Sequence, residues 1–265
     1  MSQLENLPTL NEDLGVLIGL LLTDGCITAN KKGSMQIKFT SKSEELHNLF
    51  REKMKKCFGC TNFIERKVKR VHKNSTSIVK DTIFFDKSVA NTLLKLTPTF
   101  RKKPFKDGTF PNVQIPQFVF TLKPEEISKV LQAMFSADGS VCLWVQWRED
   151  QKRWIINKCI ELACKHPLIG KQVAQLLIQL GFQPIHRVKS GKVSLFKRED
   201  ILKFKELIGF VPGVKITRNS KVWEGFEKNQ ILDLTIKAIE LKKEDLEHFE
   251  NKEEVINFLK SLLDT

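Results

Sequence analysis

The sequence predicts an α+β chain made of two copies of one unit, each reading helix, hairpin, helix, hairpin, helix. Three observations predict it. Two apolar segments of helical period, LIGLLLTDG (17–25) and LQAMFSADG (131–139), both stop at Asp-Gly, and their aspartates, Asp24 and Asp138, lie 114 residues apart. Pro98 in TPTFRKK and Pro212 in VPGVKIT keep the same 114-residue offset. Between these landmarks the pieces recur in one order: FTSKSEEL from Phe39 answers LACKHPL from Leu162, LHNLFREKMKKCFG answers IGKQVAQLLIQLG, and SIVKDTIFF answers KVSLF. A single repeat at so long a period marks a duplicated unit, since solenoids use shorter ones.

Asn11 is placed to cap the first helix, with Glu12 and Asp13 in its first turn and Leu14, Leu17, Ile18, Leu21 and Leu22 at helical spacing. Residues 26–42 turn at Asn30-Lys31-Lys32-Gly33 and then alternate, Met35, Ile37 and Phe39 against Gln36, Lys38 and Thr40, which is a hairpin with one apolar and one polar face. The amphipathic stretch from Leu46 to Gly59 is the middle helix, and 63–85 is a second hairpin turning near Asn74-Ser75. In the second unit, 141–163 and 182–196 fill the same places, the latter turning at Ser190-Gly191. Pro124 suits the first turn of the second motif helix. The division expected is 11–106, a connector over 107–123 with Pro111 and Pro116, and 124–265 including a helical, acidic tail.

The 265 residues carry 44 Lys and Arg against 31 Asp and Glu, a net charge of +13 and a pI near 9.4, which points to a polyanion as partner. The charge is localised: 26–42 holds four lysines and no carboxylate, and 63–80 holds six basic residues against Glu65 alone. Six cysteines include the pair Cys57 and Cys60, but no second pair has the spacing of a structural zinc site, so reduced thiols in a reducing compartment are expected. The N-terminal residues have no signal-peptide character, and the apolar run 16–22 is far short of the ~20 residues that span a bilayer. The expectation is an intracellular protein without a membrane partner, in an organelle if encoded there and otherwise in a prokaryotic cytoplasm.

Gly15, Gly19 and Thr23 recur every fourth residue, and so do Ala133 and Ala137. Small residues on one stripe let helix backbones approach closely, so the motif helices are expected to pack on each other and bring Asp24 and Asp138 together at their C-terminal ends. Two carboxylates there repel each other and the helix dipoles, and a divalent cation relieves this; magnesium takes one or two carboxylates and keeps room for water and phosphate. As a bare helix stop, Asp-Gly would make Gly25 and Gly139 left-handed caps.

With its two ordered motifs, the chain resembles the single-chain LAGLIDADG homing endonucleases over about 14–221. LIGLLLTDG matches at its Leu, Gly, Leu and final Asp-Gly, and LQAMFSADG at its Leu, a small Ala for Gly, and Ala-Asp-Gly. The resemblance implies two pseudo-symmetric αββαββα repeats, a saddle of antiparallel sheets over the DNA major groove, and motif helices at the interface. It implies a sequence-specific, Mg2+-dependent endonuclease, monomeric, that cuts both strands of a long, partly asymmetric duplex target across the minor groove to leave short 3′ overhangs. Asp24 and Asp138 would bind Mg2+ (or Mn2+ or Ca2+) with the backbone carbonyls of Thr23 and Ala137. The family's polar-lysine pair after the first hairpin maps onto Ser41-Lys42 and Cys164-Lys165, where Ser and Cys depart from the Gln often found. Its later basic residue maps onto Lys103, and in the second unit onto Thr217 with Lys215 and Arg218 beside it, so the assisting cations expected are Lys103 and Lys215.

A two-stranded ribbon fits the major groove, where arginine reads guanine and glutamine reads adenine while lysines hold phosphates. The DNA contacts expected are Gln36, Lys38, Thr40 and Lys42 in the first hairpin and Arg66, Lys67, Lys69, Arg70 and Lys80 in the second. Gln146, Arg148, Arg153 and Lys158 follow in the third, and Arg187, Lys189 and Lys192 in the fourth. Trp144, Trp147 and Trp154 read as sheet packing. Two other readings stay open at this point, an intron-RNA maturase and a catalytically inactive sequence-specific DNA-binding protein.

Overall fold

A computed structural model describes residues 8–29, 33–72, 75–217 and 220–263; the turns expected at 30–32 and at Asn74, and Arg218, lie outside the described residues. The order is α1 (Glu12–Asp24), β1 (Gly25–Ala29), β2 (Met35–Ser41), α2 (Glu44–Phe58), β3 (Ile64–His72), β4 (Ser75–Phe85) and α3 (Lys87–Leu96). The same succession returns as α4 (Pro124–Asp138), β5 (Gly139–Arg148), β6 (Arg153–Ala163), α5 (Pro167–Gln179), β7 (Ile185–Arg187), β8 (Lys192–Leu195) and α6 (Arg198–Leu207). Two further helices follow, α7 (Lys228–Glu240) and α8 (Lys252–Ser261). The strands form two four-stranded antiparallel sheets of matching order, β1-β2-β4-β3 and β5-β6-β8-β7. The chain is thus α+β, as the repeated pattern predicts.

Local signals act as expected. The Asn11 side chain accepts from the Leu14 amide at the start of α1, and Pro124 is the first residue of α4. Residues Leu14 to Thr23 of α1 are all buried, as a helix apolar on every side must be. The connector is tied down by Gln172, whose side-chain amide donates to the Ile115 carbonyl at 3.1 Å and accepts from its amide at 2.8 Å. All six cysteines are free. Among the described residues no helix is long and apolar enough to cross a membrane.

The two sheets are less alike than the sequence parallels suggest. In the first, the outer hairpin β3–β4 is the long one, paired from Ile64↔Ile83 to His72↔Ser75. In the second, the inner hairpin β5–β6 is long, from Gly139↔Leu162 to Arg148↔Arg153, while β7 and β8 pair only from Ile185↔Ser194 to Arg187↔Lys192. Residues 188–190 form a 3-10 turn closed by Gly191 in the left-handed region, and Lys189 sits in that turn. The tryptophans divide as well. Trp147 and Trp154 meet edge to face at 5.2 Å, and the Trp154 indole donates to the Phe249 carbonyl, so these two pack. Trp144 is exposed on the opposite face, a departure from the packing expected of it.

Each motif helix runs straight into a strand. Gly25 and Gly139 are extended, with φ near −100° and −90° (−102° and −92°), and are not left-handed caps. They are glycines because the turn-back is tight: a Cβ at Gly25 would lie 2.5 Å from the Leu21 Cα, and one at Gly139 2.5 Å from the Phe135 carbonyl oxygen. Gly25→Ala and Gly139→Ala are each expected to destabilise the fold by about 1–3 kcal/mol through overpacking, read from urea denaturation. Wild-type midpoints in both would contradict the tight exit.

Candidate active site

Helix α1 crosses α4 through its glycines. The atoms nearest a Cβ placed at Gly15 are Val130 Cγ2 at 2.8 Å and Leu122 Cδ1 at 3.3 Å; at Gly19 they are Met134 Cγ at 3.1 Å and the Val130 carbonyl oxygen at 3.3 Å. The contact is therefore of hollows on α1 filled by large side chains of α4, where the sequence pattern led us to expect two facing small stripes. The physical reason is packing density: Val130 and Met134 fill the space that the α1 glycines leave, and the Val130 carbonyl beside Gly19 marks the close backbone approach that the small residues permit. Thr23 turns its hydroxyl back onto its own helix, donating to the carbonyls of Gly19 at 3.0 Å and Leu20 at 2.9 Å.

The crossing sets Asp24 and Asp138 at neighbouring helix C-termini, on a cleft of about 890 Å³ lined also by Ala137, Lys42, Arg70, Trp144, Lys215 and Lys228. Burial pushes the Asp24 carboxyl up to about 7, and the charge of Asp138 adds to the rise. Two ammonium groups answer this. Lys102 donates to Asp138 Oδ2 at 2.7 Å and to the Thr23 carbonyl. Lys228, the first residue of α7, is buried and donates to the carbonyls of Ser136 and Gly139, each at 2.7 Å. Burial holds the Lys228 ammonium down at about 8, opposed by the attraction of Asp138 and Asp24. Each lysine thus sits on the carbonyl end of one motif helix, where the dipole favours a cation.

These two lysines correct the sequence reading. Lys103 is exposed, and its contact is a carbonyl accepting from Arg101 Nε at 3.3 Å. In an extended segment alternate residues face one way, so Lys102 follows the buried Phe100 inward and Lys103 points out; that parity was the available signal. Lys215 lines the cleft rim, exposed and paired through its backbone with Glu227, while the cation at the acids is Lys228. Nothing local marks Lys228, which begins an ordinary amphipathic helix. Ser41 accepts from the Ser43 amide at 3.2 Å and Cys164 lies against the His166 carbonyl, so both side chains serve their own turns.

The strand register separates the expected DNA contacts into two faces. Pairing Thr28↔Gln36, Lys38↔Ile83, Thr40↔Asp81, Arg66↔Asp81 and Arg70↔Ser77 puts Gln36, Lys38, Thr40, Arg66 and Arg70 on one face of the first sheet. Thr40 on that face is buried and donates to Asp81 Oδ1 at 2.7 Å, with Lys38 and Arg66 at 3.8 and 3.5 Å from Asp81 Oδ2. Lys67, Lys69 and Lys80 lie on the other face, towards α2, and Lys80 is held by Glu44 and Glu65, each at 2.8 Å. Consecutive residues of a strand point to opposite sides, so the runs Arg66-Lys67 and Lys69-Arg70 could never act on one face together. In the second sheet Gln146, Arg148, Arg153, Arg187 and Lys192 share a face with Trp144 and Glu161. Lys158 points the other way, donating to the Ala238 carbonyl at 3.0 Å, and burial lowers its pKa. Lys42 and Lys189 are exposed.

Residues 11–93 match the family model of the LAGLIDADG-like domain. The fold is similar to the LAGLIDADG meganuclease I-AabMI bound to uncleaved DNA, at 11% identity and a TM-score of 0.51 over 93% of this chain and 98% of that one. It is likewise similar to the LAGLIDADG homing endonuclease I-SmaMI bound to cleaved DNA, at 11% identity and 0.51 over 94% and 95% of the two chains. A second I-SmaMI structure, with an uncleaved DNA target in the presence of calcium ions, matches at 12% identity and 0.51 over 95% and 98%. No curated protein matches the chain. At these identities the likeness is one of fold.

The raised pKa of Asp24 makes a signed prediction. The folded chain keeps a proton up to about pH 7 that an unfolded Asp gives up near ~3.9, so this group's stabilising effect is full below ~4 and is lost as pH rises through 7. Without divalent cations, the melting temperature should fall between pH 5 and 8, and Asp24→Asn should flatten that fall and melt higher than wild type at pH 8. A variant with an undiminished slope would assign the titration to another group.

Proposed function

We propose that this chain, whose residues 11–93 match the LAGLIDADG-like domain, is a monomeric, sequence-specific endonuclease of double-stranded DNA. The observation that carries the reading is the pair Asp24 and Asp138, half-buried side by side at two helix ends on an open cleft and answered by Lys102 and Lys228. A purely structural helix end has no use for such a pair, because it lifts Asp24 towards neutrality. The DNA-bound state of the two similarly folded nucleases supports the choice of substrate. The division at 11–106, 107–123 and 124–265 belongs to the same reading, with one unit over each half of the target.

The residues present fit a divalent cation of the magnesium class. Asp24 and Asp138 offer hard oxygen donors, and the Lys102 ammonium already lies on the Thr23 carbonyl and the Asp138 carboxylate, where positive charge is stabilised. Asp24, Asp138 and the carbonyls of Thr23 and Ala137 would hold the ion. When bound it supplies Lewis acidity, polarising a phosphate and easing ionisation of water. Lys102 then exchanges its carboxylate for a phosphate oxygen and stabilises the charge that grows as the P–O bond breaks. Lys228, fixed on two carbonyls, positions the end of α4 and so Asp138. The faces bearing Lys38, Arg66 and Arg70, and Arg148, Arg153 and Arg187, read the major groove, and the paired acids cut both strands across the minor groove to leave short 3′ overhangs.

Selection of cleaved molecules from a randomised duplex library in Mg2+ tests this. Wild type should enrich one long sequence with double-strand ends, and Asp24→Asn or Asp138→Asn should abolish cleavage while still binding it. No enriched sequence in Mg2+ or Mn2+, or full cutting by either variant, would overturn the reading. Lys102→Met should slow cleavage by about 10²–10³ and Lys103→Met should leave it near wild type. The reverse order would return the role to Lys103.

A further inference from the structure

On the cleft side of the second sheet, Cys142 and Cys159 are direct cross-strand neighbours, and Glu161 follows two residues along the same face of β6. Aligned through Gly25 and Gly139, these positions answer Thr28, Gln36 and Lys38 of the first sheet, where Gln36 donates to the Thr28 hydroxyl at 2.7 Å. A polar reading pair in one half is therefore a dithiol in the other. The Sγ of Cys142, the Sγ of Cys159 and a Glu161 oxygen all lie within 4.8 Å of one another.

We propose that Cys142, Cys159 and Glu161 form a binding site for a soft divalent cation of the zinc class, separate from the acids at the helix ends. The spacing is that of such a site. A tetrahedral ion with sulfur at ~2.3 Å and oxygen at ~2.0 Å sets a sulfur and an oxygen ligand about 3.5 Å apart, and Cys142 Sγ lies 3.6 Å from Glu161 Oε2. Both ligand strands are locked by the longest hairpin of that sheet, so the three donors are held without any loop. The charge also closes. Two thiolates, a carboxylate and a divalent ion leave one negative charge, and the Lys192 ammonium, 2.6 Å from Glu161 Oε2, cancels it. Ser194 donates to the other oxygen, Oε1, at 3.2 Å, fixing the carboxylate plane. Binding forms two metal–sulfur bonds and one metal–oxygen bond, and releases the two thiol protons to solvent. Cys142 lines the cleft, from which water would supply a fourth ligand.

Cadmium is a suitable probe, because bound thiolates give it a charge-transfer absorption in the ultraviolet. The full chain carrying Cys57→Ser and Cys60→Ser is titrated with Cd2+ in reductant, with excess Mg2+ to fill any carboxylate-only site. The band should saturate at one ion per chain, and adding Cys142→Ser or Glu161→Gln should weaken binding at least tenfold. In the unmutated chain Cd2+ should slow alkylation of Cys142, a measurement that needs no variant to fold. Absence of the band, its persistence after Cys142→Ser in a chain with unchanged melting temperature, or unprotected Cys142 would each overturn the site. No DNA enters the assay, so its result is independent of the nuclease reading.

Discussion

The close crossing of α1 over α4 is the contact on which the other features depend. Gly15 and Gly19 let Val130 and Met134 seat against the α1 backbone, and this fixes how near the two helix ends come. Asp24 and Asp138 share a cleft only because the helices touch there, and both sheets start at that point, because β1 and β5 leave the helices without a linker. Electrostatics then follows from geometry. Two carbonyl-rich helix ends and two carboxylates in one place call for cations, and Lys102 and Lys228 reach in from opposite halves to meet them.

What was legible in the sequence is what repeats or alternates over many residues. The Asp-Gly pair, the 114-residue offset and the alternation of β2 determine helices, hairpins and the location of the acids. What was not legible depends on a single residue's phase or on a distant approach. Lys102 and Lys103 are neighbours of equal chemistry, and only the direction of an extended chain separates them. Lys228 comes from a helix beyond the repeat, and its burial is a tertiary fact with no local sign. Strand phase likewise moved Lys67, Lys69, Lys80 and Lys158 off the cleft face.

The halves also differ where their topology agrees. Lys38 faces Asp81 in the first sheet, and at the answering positions of the second Glu161 faces Lys192, so the ion pair is kept and its polarity reversed. The long hairpin is outer in one sheet and inner in the other. Two surfaces with inverted charge order and different reach present different patterns to anything laid across both, while the two acids between them keep matching positions as the last residues of α1 and α4.

The hollow-and-knob character of the helix crossing bears on stoichiometry. Gly15 and Gly19 lie only on α1, and Val130 and Met134 only on α4. Carried through the 114-residue offset, Lys129 and Ala133 of α4 stand where α1 has Gly15 and Gly19, so two second units brought together would lack the hollows that a two-fold contact of this kind needs on both sides. On one polypeptide the hollows and the side chains that fill them are covalently joined, and dilution cannot separate them.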